Sequence, residues 1–109
     1  MEFTEYQKKA EETAIYPNRG NNITYPALGL GGETGEVLEE IKRVLRDDNS
    51  KVSEERKKNI EKEMGDVLWY LATLSTELGL DLNKIAELNI EKLSSRKERD
   101  QLHGSGADR

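Results

Sequence analysis

The sequence predicts an all-α fold, a bundle of four helices completed by self-association. Three observations carry that reading. Apolar residues recur at helical spacing over long stretches, and no run alternates as a half-buried strand would. Turn formers divide the 109 residues into four such stretches, a length suited to one domain. Apolar residues make up 34% of the chain and charged residues 36%, so one copy builds a thin core and further apolar surface is buried between copies.

The first helix begins at Thr4, which with Gln7 reads as a Thr-x-x-Gln capping box, and runs to about residue 15, where Pro17 ends it. The segment 16–26 is dense in Asn, Gly and Pro and forms an ordered loop carrying Tyr16 and Tyr25. These rings anchor the loop to the core; stacking on a nucleobase is the rival reading. A second helix covers about residues 27–46. Gly29, Gly31, Gly32 and Gly35 in its first half each cost about 1 kcal/mol relative to alanine, so close helix packing or close approach of a ligand must recommend them. The break 47–50 precedes a third helix over about residues 53–78, for which Gly79 is the C-cap. A fourth follows Asp81, an N-cap, and reaches about residue 99 before the glycine-containing tail 100–109.

Composition narrows the chemistry. A net charge of −5, with basic residues mixed among acids, gives no reason to bind a nucleic-acid backbone. The absence of cysteine and the single histidine, His103, remove thiolate and His-rich metal sites, so any metal rests on oxygen ligands. No stretch has the length and apolarity of a membrane span and the N-terminus lacks a signal pattern, so the expected location is the cytoplasm.

The acids supply the chemistry. Glu33-x-x-Glu36 and Glu63-x-x-Asp66 each place two carboxylates on neighbouring positions of a helix. In the second helix Leu30, Val37, Ile41, Val44 and Leu45 form an apolar stripe with Glu33, Glu36 and Glu40 on one shoulder. In the third, Ile60, Val67, Leu71, Leu74 and Leu78 form the stripe, with Glu63, Asp66 and Tyr70 on the shoulder. Packing the stripes together brings the carboxylates to one spot, where protons or hard cations such as Mg²⁺ must neutralise them. That pattern points to a metal-dependent enzyme acting on phosphates. Glu54, Glu55, Glu61 and Glu77 lack the matched arrangement and read as solvated surface. On the fourth helix Asn89, Lys92 and Arg96 share a side with Leu82, Ile85 and Leu93, so a cation there can face the acids; salt bridging is the ordinary alternative.

At these residues the chain resembles the MazG-like nucleoside triphosphate pyrophosphohydrolases, an all-α superfamily that also holds dimeric dUTPases and phosphoribosyl-ATP pyrophosphohydrolases. The family pattern is Glu-Glu-x-x-Glu, a spacer, then Glu-x-x-Asp. Leu30-Gly31-Gly32-Glu33-Thr34-Gly35-Glu36-Val37 matches the first block and Glu63-Met64-Gly65-Asp66-Val67-Leu68-Trp69 the second. Asn89-Ile90-Glu91-Lys92-Leu93-Ser94-Ser95-Arg96 resembles a later Asn-x-x-Lys-Leu-x-x-Arg stretch. The resemblance implies Mg²⁺, with Mn²⁺ as a substitute, on Glu33, Glu36, Glu63 and Asp66, and substrate contacts from Asn89, Lys92 and Arg96. It implies a homodimer or homotetramer that cleaves a nucleoside triphosphate to the monophosphate and pyrophosphate. Gly32 stands where the family pattern begins with glutamate, so activation of water falls to Glu36, Glu40 or a metal-bound hydroxide. Ser105 and Arg109 resemble a tail that closes over phosphates.

Two alternatives accompany this reading: phosphoribosyl-ATP cleavage, which fits the first block less well, and a non-enzymatic homodimeric helical module whose acids confer solubility. A di-iron carboxylate bundle would need Glu-x-x-His on two helices. The metal motif does not select a base; loop and pocket shape do.

Overall fold

The computed structural model describes residues 1–107 and is all-helical, with α1 Phe3–Glu11, α2 Thr24–Asp47, α3 Glu54–Glu77 and α4 Leu82–Glu98. The ends of α3 and α4 follow local chemistry. Ser53 caps α3 by accepting the Arg56 N–H at 3.1 Å, and Asp81 caps α4 by accepting that of Asn83 at 2.9 Å. Gly79 takes φ +69° just beyond α3, where Leu80 N–H reaches the Ser75 carbonyl at 2.8 Å and Gly79 N–H reaches that of Thr76 at 3.1 Å. Those two bonds are the Schellman pair.

The other boundaries depart from expectation. Helix α1 starts before Thr4, so the Thr4–Gln7 capping box does not form: the N-cap is Glu2, without a side-chain bond. The Gln7 amide is thereby free for tertiary work, donating to Thr76 Oγ1 at 3.1 Å and to the Leu80 carbonyl at 2.9 Å while accepting from Leu82 N–H at 2.8 Å. Successive tighter bonds from Glu12, Thr13 and Ala14 to the carbonyls three residues earlier close α1 at Glu11 rather than near Ile15. Helix α2 starts at Thr24 and carries Pro26 in its first turn, where a missing N–H costs nothing. Asn22 Oδ1 accepts the Tyr25 N–H at 3.0 Å just ahead of it.

Helices α2 and α3 form an antiparallel hairpin, the largest interface of the chain; α1 lies antiparallel on α3, and α4 packs on α1. The four-helix arrangement of one chain is therefore open on one side. Ala10, Ala72 and Leu82 form the centre of the core, with Tyr6, Trp69, Leu71 and Ile85 around it. Of the two apolar stripes, Val44 is buried, most members are half-buried, and Ile41, Leu45 and Leu78 stay exposed at 40%, 63% and 50%. The radius of gyration is 16.7 Å, where a compact chain of this length has about 13 Å. Between α2 and α3, Val37, Met64, Val67, Leu68 and Leu71 line an apolar furrow of about 520 Å³. Among the described residues no helix is long and apolar enough to cross a membrane.

Candidate functional site

Register in the α2–α3 hairpin decides which acids meet. Tyr70 lays its ring against the backbone of Gly29, so closely that a Cβ there would fall 2.1 Å from a ring carbon. This is the reason for one of the α2 glycines; Gly31, Gly32 and Gly35 have no atom within 4 Å of the corresponding point. With Gly29 against Tyr70, the next turn of α2 sets Glu33 opposite Glu63 and Asp66. Their carboxylate oxygens lie within 4.8 Å of one another. Desolvation raises the Glu33 pKa above the ordinary carboxylate range, with further contributions from the Asp66 charge, a hydrogen bond with Glu63, and the charges of Glu63 and Glu36.

A cluster of oxygens alone suits a hard divalent cation, which takes carboxylate ligands at about 2.0–2.6 Å. The present spacing needs only small side-chain adjustments to reach such a shell. Glu33, Glu63 and Asp66 thus fit a Mg²⁺-type ion on an observation of their own: three carboxylates from two helices drawn together.

The remaining expected site residues are placed differently. Glu36 is exposed, one turn along from Glu33, and stands outside the converging group although its charge is felt there. Glu40 is 8% exposed and turned to the hairpin end, where it accepts from Arg56 at 3.0 Å and Arg43 at 3.1 Å. Arg56 also holds Asp48 at 3.0 Å. Glu40 therefore belongs to a structural ion-pair network, because the α2 turn that carries it faces Arg56 rather than Glu63. Asn89 and Lys92 are exposed on α4, which packs chiefly on α1. Arg96 is 4% exposed, donates to the Ala107 carbonyl, and has an Nε without a hydrogen-bond partner. Ser105 is exposed on the tail, and Arg109 lies outside the described residues.

Sequence reasoning also missed groups around the site. Glu77, read as solvated surface, accepts from Tyr16 Oη at 2.5 Å, Gly20 N–H at 2.8 Å and Asn22 N–H at 3.1 Å, pinning the 12–23 loop to α3. Those donors hold its pKa below the ordinary value, the Tyr16 hydroxyl contributing most. Tyr16 stacks on Tyr25 with centroids 4.6 Å apart, and Tyr25 tilts against Tyr70 at 6.5 Å. Both rings are used to fix the loop, as expected. The signal for Glu77 was present only indirectly, as a loop rich in Asn and Gly whose backbone donors need an acceptor.

A family model for the MazG nucleotide pyrophosphohydrolase domain matches residues 24–99, which contain all three converging acids. Among curated proteins, the gene 37 protein of Mycobacterium phage L5 is 38% identical over 109 residues, covering 95% of this chain and 96% of its own. No solved structure matches.

Proposed function

Since the chain belongs to the MazG nucleotide pyrophosphohydrolase family, we propose that it hydrolyses a nucleoside triphosphate between the α and β phosphates, giving the monophosphate and pyrophosphate. The observation that carries this reading is the convergence of Glu33, Glu63 and Asp66. When bound there, Mg²⁺ supplies charge neutralisation at phosphate oxygens and a lowered pKa for water. Glu33, Glu63 and Asp66 hold the ion and fix the α phosphate relative to them. Glu36, exposed and one turn from Glu33, completes the acidic set and takes the proton from the attacking water. Glu40 has no part in this step, since both its oxygens are bound to guanidinium groups.

The phosphates also need cations, and Asn89 and Lys92 stand exposed on α4, a helix that packs chiefly on α1. A homodimer or homotetramer resolves this: a second copy covers the apolar furrow of α2 and α3 and brings its own Asn89 and Lys92 to the β and γ phosphates. Arg96 joins them when the tail around Ala107 is displaced. The furrow and the expanded dimensions of the single chain support this arrangement, with the enzyme working on the nucleotide pool of the cytoplasm.

The test is pyrophosphate release from a panel of ribo- and deoxyribonucleoside triphosphates, with and without Mg²⁺, for the parent, Glu63→Gln, Asp66→Asn and Glu36→Ala. Release that requires the metal and is lost in all three variants is expected, together with a Mg²⁺-dependent rise in Tm that Glu63→Gln and Asp66→Asn lack. Mg²⁺-independent melting combined with silence across the panel would refute the reading and leave the helical interaction module.

A further inference from the structure

We propose that the cavity enclosed by α1, the 12–23 loop and α3 binds the nucleobase of the substrate, an inference that rests on the triphosphate reading above. The cavity is about 360 Å³ and is lined by Glu11, Tyr16, Arg19 and Thr73, among others. Its most telling feature is Thr73, which is 4% exposed and whose Oγ1 has no hydrogen-bond partner. The neighbouring hydroxyls show what a helical position ordinarily does. Ser75 donates to the Leu71 carbonyl at 2.8 Å and Thr76 to that of Ala72 at 3.2 Å, each one turn back. Thr73 makes no such bond. A buried hydroxyl left unpaired is costly, and a χ1 rotation that turns it to the cavity lets a polar ligand remove that cost.

Position favours the same ligand. Glu63, Asp66, Tyr70, Thr73 and Glu77 follow one another at spacings of three and four along a single stripe of α3. Thr73 lies two turns beyond Asp66, a rise of about 10 Å, on the scale that separates the α phosphate of an extended nucleotide from its base. The rings of Tyr70, Tyr25 and Tyr16 form a row from the acids to the cavity. A nucleotide with its phosphates at Glu33, Glu63 and Asp66 thus has an aromatic path for its sugar and a polar recess for its base.

The polar lining suits a nucleobase edge, which alternates donors and acceptors. Glu11 accepts, Arg19 donates, and the Thr73 hydroxyl does either. Glu77, also on the wall, already accepts three hydrogen bonds and fixes the loop. Two carboxylates on the wall disfavour an anion as occupant, and an apolar occupant would leave Thr73 unpaired.

The experiment uses the full chain and backbone amide NMR, titrating nucleoside monophosphates and, as a base-free comparison, ribose 5-phosphate. Gly20 and Thr73 amides should shift with the nucleotides and stay put with the sugar phosphate. Arg19→Ala and Glu11→Ala, both at exposed positions, should weaken monophosphate binding roughly tenfold, the loss of one good polar contact, while the Mg²⁺-dependent rise in Tm persists. Thr73→Val, which keeps the shape, should do the same. Affinities within twofold of the parent in all three variants, or shifts confined to the surroundings of Glu33 and Asp66, overturn the base site while turnover of triphosphates still stands. If no triphosphate is turned over, the enzymatic reading fails, and the titration still judges the cavity: base-dependent shifts at Gly20 and Thr73 uphold it and their absence overturns it.

Discussion

Alanine at position 29 should weaken the protein even though it improves the helix. An alanine Cβ would stand 2.1 Å from Tyr70 Cε1 and 2.4 Å from Cδ1 and Cζ, where carbon atoms settle at about 3.5–4.0 Å. The ring must retreat by more than 1 Å. It has little room to do so, being held edge-on by Trp69 at a centroid distance of 4.9 Å and flanked by Tyr25. Overpacking of this kind costs about 1–3 kcal/mol, and the depth of the overlap puts Gly29→Ala at the upper end. Improved helix propensity returns about 1 kcal/mol, leaving a net loss of about 2 kcal/mol. With an unfolding entropy of about 2.1 cal/mol/K per residue, Tm falls by roughly 9 °C. Gly31→Ala provides the opposite sign, since open space surrounds its Cβ and only the propensity gain of about 1 kcal/mol remains, worth roughly +4 °C. Thermal melts followed by circular dichroism at equal protein concentration read both. A Gly29→Ala protein that melts at or above the parent would refute the packing argument.

The ion-pair network of α2 and α3 predicts a ranking: Arg56→Ala strips partners from Glu40 and Asp48 at once, whereas Arg46→Ala breaks only an exposed pair with Asp47. The first should lower Tm clearly and the second hardly at all, and equal shifts would contradict the network. Burial foremost, then the hydrogen bond to Glu77, pushes the Tyr16 pKa up to about 12 from the ordinary 10.0. The unfolded chain therefore loses this proton first, so the Tyr16 contribution to stability is intact below pH 10 and disappears as pH rises towards about 12. Phenolate absorbance should show a late tyrosine step that Glu77→Gln moves to lower pH, with a smaller alkaline loss of Tm in the variant; an unmoved step would contradict the assignment.

What could be read in the sequence was what local spacing determines. Gly79 and Asp81 act at the helix ends through bonds to residues a few positions away, and each is found where turn chemistry puts it, while Ser53, read as the start of α3, is its cap. Glu33, Glu63 and Asp66 were legible because two equal spacings on two apolar helices constrain how they pack. Glu36 and Glu40 were harder. A helical wheel groups them with Glu33, but the register set by Gly29 and Tyr70 turns only Glu33 to the other pair. The Arg56 partner of Glu40 comes from the opposite helix, and nothing in the spacing of α2 names it. The Thr4–Gln7 pattern failed because the helix started earlier, and the roles of Gln7 and Glu77 depend on contacts 55 to 75 residues away. The position of α4 is likewise a choice of neighbour, made by Leu82 and Ile85 against α1.

The short connection between α2 and α3 has a consequence for the order in which the molecule is made. Contacts across that hairpin span little sequence, as between Glu40 and Arg56 at a separation of 16, so closing it forfeits little chain entropy. The bonds that seat α1, from Trp69 to Thr13 and from Leu82 to Gln7, bridge 56 and 75 residues and forfeit more chain entropy. The three acids thus ride on the element whose closure forfeits least chain entropy, while the cavity beneath the loop is walled in part by segments that close longer loops. Transient detachment of α1 and the loop leaves Glu33, Glu63 and Asp66 assembled.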